Sequence, residues 1–472
     1  MASREGAIER VSKHFDDGRF VEDLTRWVAI PTQSQLLDHQ PELYRYLREE
    51  IGPFCESMDH SYEIFDNPDP QRGPILVAQR IEDKSRPTLL TYGHGDVVTA
   101  FPEEWSEGLD PWTVKVDGDR VYGRGTVDNK GQHLIAMTSI AKVIKERGGK
   151  LGFNSKIIIE TGEEQGSIGL KEFILDHKDL LACDVFFGLD GPRRSFKRHE
   201  LNLGNRGAVV FDLVVDLNRE GGLHSGHWGG VMPDAGIILA QAISSITTPR
   251  GKILVQDWRP KNIKDSVRKA TQDLEVEPVK NLPPLDPEWG EPGLAPQEKA
   301  VIWTSFVVLA YKTGNPDNPV NSVPSYAKAR CQVRHTVDVE QDVVIPALKK
   351  HLEEKGFGGT VEVSTDVGRI GHKAARTDPD NAWVQYICKS MEKTSGAWPN
   401  VSPNTGASGP RSIFKDPLEC PAIMGSHSYP GCGQHGPDEH GLLSLFREGL
   451  QAMTGVYWDL GEPGTPPAKG LK

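Results

Sequence analysis

No segment of this chain approaches the roughly 18 consecutive apolar residues that a membrane-spanning helix needs. The N-terminus, MASREGAIERVSKHF, scatters charges where a signal peptide would carry its apolar core. A helical membrane protein is therefore excluded, no secretory leader is expected, and the expected location is the cytoplasm. Positive charge is in deficit, with 54 Lys and Arg against 66 Asp and Glu and a net charge of -12. Affinity for nucleic acid comes largely from neutralising phosphates with Lys and Arg, so neither nucleic acid nor an anionic membrane surface is an expected partner. The six cysteines form no C-x-x-C pair, which indicates neither a zinc knuckle nor a disulfide framework and leaves reduced thiols as the default. Only Cys432, close to His435 in a glycine-rich loop, has a neighbour that makes a metal ligand conceivable. There is no internal repeat and no GxGxxG element; GRGTVD comes near it, with Asp128 where the third glycine would stand. The G-x-S-x-G elbow of serine hydrolases is missing too.

What is present is ordinary globular composition, 37% hydrophobic and 25% charged, in 472 residues, enough for two or three domains. Apolar runs at 74–80, 86–92, 155–160 and 184–189 read as strands, and 40–50, 131–147 and 168–181 as helices. This alternation predicts an α/β fold, a mainly parallel sheet flanked by helices. From about 206 the pattern changes. NRGAVVFDLVVDL is a long strand. YAKARCQVRHTV at 326–337 alternates, with Tyr326, Lys328, Arg330, Gln332 and Arg334 on one face and Ala327, Ala329, Cys331, Val333 and His335 on the other. A period of two predicts a sheet with one wet face. With helices at 234–247 and 340–355 it gives a smaller inserted α+β unit. The stretch 276–296 carries six prolines and predicts an extended flap without regular structure. Helices near 379–395 and 440–456 return the α/β character, and the tail GEPGTPPAKGLK is expected to be mobile.

The strand ends carry unusual chemistry. TLLTYGHGDVV closes a buried run in His94 and Asp96, two apart and therefore on one side of an extended chain. VYGRGTVDNKGQ sets Asp128 in a glycine-rich turn before a helix, IIIETGEEQGSIGL ends in Glu163 and Glu164, VFFGLDGP ends in Asp190, and SYPGCGQHGPDEHG brings His435. Taken singly, each has a bland explanation, such as Asp128 as a helix N-cap. Together, so many acids at one sheet edge repel unless cations lie among them. Two metal ions explain the set. Imidazole and carboxylate suit zinc, with manganese or cobalt as substitutes. Such a pair needs a bridging carboxylate, here Asp128, with His94 and Asp190 serving one ion and Glu164 and His435 the other. Adjacent residues in an extended chain face opposite ways, so Glu163 and Glu164 are expected to divide the labour, one ligating and the other acting as general base for a water. Asp96 would orient the imidazole of His94. His440 is a rival ligand to His435.

In order and context His94-Gly-Asp96, Gly125-x-x-Asp128-x-Lys130-Gly131, Glu163-Glu164, Asp190 and the late His435 resemble the co-catalytic zinc metallopeptidases that include aminoacylase, acetylornithine deacetylase, succinyl-diaminopimelate desuccinylase, glutamate carboxypeptidase and carnosinase-type dipeptidases. The resemblance covers nearly the whole chain. It implies Glu163 as general base, Glu164 as ligand, Asp96 as orienting acid and Asp128 as bridge. GGLHSGHWGG resembles the family's lid segment, whose histidine, here His224, reaches across a homodimer to polarise the scissile carbonyl. NSVPSYAKARCQVR resembles the lid strand whose arginine, here Arg334, grips a substrate carboxylate, with Asn321 nearby. One stretch departs from the pattern: a Gly-Ser-Ile-Pro-like segment is usual near that carboxylate, whereas NTGASGPRSIF inserts Arg411, implying another leaving group or an extra anion contact.

The expectation is a dimeric di-zinc hydrolase of a small amide, a dipeptide or N-acyl amino acid, with residues 1–205 and 372–472 as catalytic domain and 206–371 as lid. Three other readings compete. An aminohydrolase or deaminase on the same scaffold needs the same water-activating groups. Single-domain zinc aminopeptidases share the ligand order but lack a large insertion between the fourth and fifth ligands, and here Asp190 and His435 are separated by enough chain for a whole domain. A non-catalytic binding module predicts loss of the base, and Glu163 is present.

Overall fold

The computed structural model describes residues 2–219, 222–276, 283–365, 373–406, 409–464 and 466–467. Residues 277–282 of the proline-rich stretch, the expected boundary at 371–372, residues 407–408 and the end of the tail lie outside the described residues.

The first sheet has eight strands in the order Ser61–Phe65, Ile75–Arg80, Asn154–Glu160, Thr88–His94, Val185–Leu189, Ala422–Ser426, Glu200–Asn202 and Asn400–Ser402. Its centre is parallel: Thr88–His94 pairs in parallel with Asn154–Glu160 and with Val185–Leu189, which in turn pairs in parallel with Ala422–Ser426. The antiparallel pairings are Ser61–Phe65 with Ile75–Arg80, Ile75–Arg80 with Asn154–Glu160, and Ala422–Ser426 with Glu200–Asn202. The central strands are buried at every position because both faces are covered. Their side chains alternate between two cores. Leu89, Ile157, Ile159 and Phe187 join Leu134, Ile140, Leu450 and Val456 on one face, while Leu90, Tyr92, Ile158 and Phe186 meet Phe173, Phe414 and Met424 on the other. Each such side chain removed from water contributes on the order of 1.5–3 kcal/mol. The first face is closed by the helices Arg4–Asp16, Lys130–Glu146 and Leu443–Leu460.

A second, antiparallel sheet runs Ser305–Thr313, Tyr326–His335, Gly207–Asp216 and Glu362–Ser364. Along Tyr326–His335 burial alternates residue by residue, as the period of two predicts. Ala329, Cys331 and Val333 pack with Leu213, Leu239 and Leu348 beneath the helices Ala235–Ile246 and Gln341–Glu354, while Lys328, Arg330 and Arg334 lie on the wetter face.

Some elements differ from the sequence reading. The helix expected at 40–50 is Gln40–Tyr46 followed by a wider turn, Leu47–Ile51, and that expected at 168–181 divides at His177 into Leu170–Asp176 and Lys178–Leu181. The last helix begins at Leu443, after a short strand His440–Leu442 that pairs with Arg120–Tyr122. Residues 283–295 form neither helix nor strand.

Candidate metal centre

Every acid and imidazole singled out as a metal ligand lies beyond the carboxyl end of a parallel strand or in a loop that folds back to it, where open α/β sheets place their ligands. His94 is the last residue of Thr88–His94, Asp190 follows Val185–Leu189, and Glu163 and Glu164 form the tight turn after Asn154–Glu160. Asp128 precedes the helix Lys130–Glu146, whose start is sterically tight: a Cβ at Gly131 would lie 2.0 Å from the carbonyl oxygen of Thr126. His435 arrives from the loop after Ala422–Ser426 with a left-handed φ of 62°, a conformation costly for a residue other than glycine.

The carboxylate of Asp128 stands between two imidazoles. Its Oδ1 is 3.0 Å from His94 Nε2 and its Oδ2 is 2.9 Å from His435 Nε2. His435 Nε2 is also 3.3 Å from Glu164 Oε2. Three overlapping groups have potential ligand atoms within 4.8 Å of one another: His94, Asp128 and Asp190; Asp128, Glu164 and His435; and His94, Glu163 and Glu164. Asp128 is common to the first two.

The electrostatics fit a site for divalent cations. Burial acts to raise the Asp128 carboxyl, but the imidazoles of His435 and His94 outweigh it and hold it well below the usual carboxylate range. Glu164, buried and beside Asp128, is pushed up to about 7, and burial likewise raises Glu163 well above its ordinary value, reinforced by Asp190, Glu164 and Asp128. Hydrogen bonds to Asp128 and Glu164 raise His435 to about 10. Glu164 Oε1 is buried without a hydrogen-bond partner among the described residues. Crowded carboxylates, one with an orphaned oxygen, are the donor set that hard or borderline cations satisfy.

Asp96 is fully buried and organises two parts of this cluster. Its main-chain oxygen lies 3.1 Å and its Oδ1 3.4 Å from His94 Nδ1, which presents the other nitrogen of that ring to Asp128. The same carboxylate accepts from the backbone N–H of Glu163 at 3.2 Å and of Glu164 at 3.1 Å, and from the Ser34 hydroxyl at 2.7 Å. One side chain thus sets both an imidazole and the turn that carries two acids.

Several contributors went unread in the sequence. Glu439, completely buried, accepts from the N–H groups of Gly125, Val127 and Asp128 through Oε1 and from Arg124 through Oε2, cradling the loop that carries Asp128. Gln434 donates to Asp128 Oδ2 at 2.6 Å, and Asn129 donates to Asp190 Oδ1 at 3.1 Å. Glu439 and Gln434 flank His435 in QHGPDEH, where the sequence reading attended to the histidines alone. His440, the rival ligand, is engaged instead by Tyr429 and the carbonyl of Asp438, and neither it nor Cys432 belongs to a ligand group among the described residues.

A cavity of about 430 Å³ opens onto the cluster, with Asp128, Glu163, Asp190, His435 and Arg411 in its wall. Arg334 reaches it indirectly: its Nη1 is 3.5 Å from the carbonyl oxygen of Gly406, a wall residue that also accepts from Arg206. His224 and Asn321 lie side by side, the Asn321 carbonyl accepting from Ser225 N–H, but neither lines this cavity. His224 is exposed, its Nδ1 accepting from Gly226 N–H.

The chain is similar to known proteins at two levels. In sequence, the β-Ala-His dipeptidase of Rattus norvegicus is 31% identical over 265 residues, 53% of this chain and 53% of its own length. The cysteinylglycine-S-conjugate dipeptidase of Corynebacterium striatum is 28% identical over 366 residues, 75% and 76% of the two chains. The chain thus spans about half the length of the first of these relatives and about three quarters of the second. In fold, the M20 family metallo-carboxypeptidase of Sulfolobus solfataricus superposes with a TM-score of 0.74 at 22% identity, covering 94% of this chain and 99% of that one. The model of peptidase family M20/M25/M40 matches residues 90–459, a span that runs from the strand bearing His94 to the last helix. The chain belongs to peptidase family M20/M25/M40.

Proposed function

We propose that this protein is a metal-dependent hydrolase of a small amide, a dipeptide or an N-acyl amino acid, carrying two divalent cations, zinc by preference. The observation that carries this reading is Asp128, with one oxygen 3.0 Å from His94 and the other 2.9 Å from His435. His94, Asp128 and Asp190 would hold one ion, and Asp128, Glu164 and His435 the other. Cations bound there supply Lewis acidity, polarising the scissile carbonyl and making a water more acidic.

The protein's own residues do the rest. Glu163, in the cavity wall, takes a proton from the attacking water as its oxygen bonds to the carbonyl carbon, then gives that proton to the amine as the C–N bond breaks. Asp96 fixes the ring of His94 and the turn that aims Glu163. Arg334 supplies a guanidinium for the substrate carboxylate, and His224 polarises the carbonyl from the partner subunit of a homodimer. Dimerisation through the inserted lid, 206–371, is supported by exposed Val307, Leu309 and Tyr311 on the edge strand Ser305–Thr313, beside exposed Ile237. The remaining segments, 1–205 and 372–472, form the catalytic domain in this reading. The six cysteines are free, which suits a cytoplasmic protein.

The test is metal content by mass spectrometry together with hydrolysis of dipeptides and N-acyl amino acids with and without chelator. About two transition-metal ions per chain and chelator-sensitive cleavage are expected. A chain that takes up no metal under any loading condition would remove the proposed centre.

A further inference from the structure

Arg411 is an anomaly in its surroundings. It stands at the start of the helix Arg411–Leu418, is only 6% exposed, and lies in the wall of the cavity that opens on Asp128, Glu163 and Asp190. Among the described residues its guanidinium makes no hydrogen bond and no ion pair, and its Nε is buried without a partner. Burial lowers its pKa to about 10, so it still carries its charge at neutral pH. The acids whose fields reach it, Asp190 and Glu163, belong to the candidate metal centre.

The neighbouring arginines of the cavity are satisfied. Arg194 pairs with Glu200, and Arg193 is held by Glu448, the Ser426 carbonyl and His199. An unpaired buried charge costs several kcal/mol, and an arginine cannot shed its proton to escape that cost. The counter-charge therefore arrives with the ligand, and a planar fork of N–H donors matches a carboxylate. A second cation station adjoins the wall at Gly406, whose carbonyl oxygen accepts from Arg334 and Arg206 behind it. A dipeptide with neutral side chains brings one carboxylate to two stations.

We propose, resting on the amide-hydrolase reading above, that Arg411 binds a second substrate carboxylate, and that the preferred substrates are dipeptides whose C-terminal residue has an acidic side chain. On the metal-loaded protein, kcat/KM for Ala-Glu should exceed that for Ala-Gln by roughly 10- to 100-fold, the range expected of a hydrogen-bonded charge pair. Arg411→Gln should bring that ratio to about one, with the loss concentrated in KM, and Arg411→Lys should restore part of it. Calorimetric titration of the same two dipeptides onto the Glu163→Gln protein, with and without Arg411→Gln, reads the same preference without turnover. If no dipeptide is cleaved yet Ala-Glu binds more tightly through Arg411, the hydrolase reading fails and this one stands. Equal affinity for the two dipeptides in wild type, or equal loss for both in Arg411→Gln, would overturn it.

Discussion

Asp128 and Glu163 sit in one acidic cluster and are driven in opposite directions. Two imidazoles face Asp128 and keep it ionised, whereas Glu163, buried and surrounded by Asp190, Glu164 and Asp128, favours the protonated form. A carboxyl whose proton affinity is raised suits a general base, while one held ionised suits a bridge. Replacing Glu163 with Gln keeps its shape and removes the proton acceptor. We expect turnover to fall by roughly 10²- to 10⁴-fold with metal content near normal, measured by steady-state kinetics and metal analysis on one preparation. Full activity in that variant would remove Glu163 as the base. At this scale the sequence was readable where chemistry coincides with a strand end: His94 and Asp96 announce themselves by parity. Glu439 was not, because it cradles the 125–128 loop from more than 300 positions away, and nothing near it in sequence signals three backbone N–H groups in need of an acceptor.

At the scale of elements, the sheet edge illustrates how burial becomes pH dependence. His60 precedes the strand Ser61–Phe65; its Nδ1 donates to the Met58 carbonyl and its Nε2 accepts from Ser155 on Asn154–Glu160. Burial lowers its pKa from 6.5 to about 4. Above pH 6.5 the ring is neutral folded and unfolded, so its contribution is constant. Between 6.5 and 4 the unfolded chain takes up a proton that the folded chain refuses, so stability is lost as pH falls, by about 3 kcal/mol at the lower end. Below 4 the contribution is flat again. Denaturant unfolding between pH 7.5 and 4 should show wild type losing that much more than His60→Gln, and parallel curves for the two would refute the assignment. The elements themselves were largely legible. Tyr326–His335 alternates because one face is packed and the other wet, and its period survives any context. The central strand Ala422–Ser426 escaped notice because AIMGS is short and mixed, and its place between Val185–Leu189 and Glu200–Asn202 is fixed by long-range pairing alone.

At the scale of the whole molecule, the second sheet ends in the strand Ser305–Thr313, whose outer side has no paired strand among the described residues. Leu309 is 52% exposed on that edge, next to Val307 and Tyr311, and Tyr311 donates to the Gly236 carbonyl, tying the strand to the helix Ala235–Ile246. An exposed apolar edge strand invites pairing with another strand. Sedimentation velocity should give a dimer for the wild type and a monomer for Leu309→Lys combined with Val307→Lys. A wild-type monomer, or a variant that stays dimeric, would dismiss this surface as the interface. No helix among the described residues is long and apolar enough to cross a membrane.

The sequence by itself determined the α/β class, the family and the residue types of the centre, since those rest on local periodicity and on short motifs whose spacing any fold must respect. Only the tertiary structure decided that Asp128 faces two histidines at once, that Glu439 cradles the loop beside it, and that Arg411 is buried without a partner among the described residues. Convergence, desolvation and the absence of a counter-ion are properties of chain segments meeting across hundreds of residues, and no local pattern encodes them.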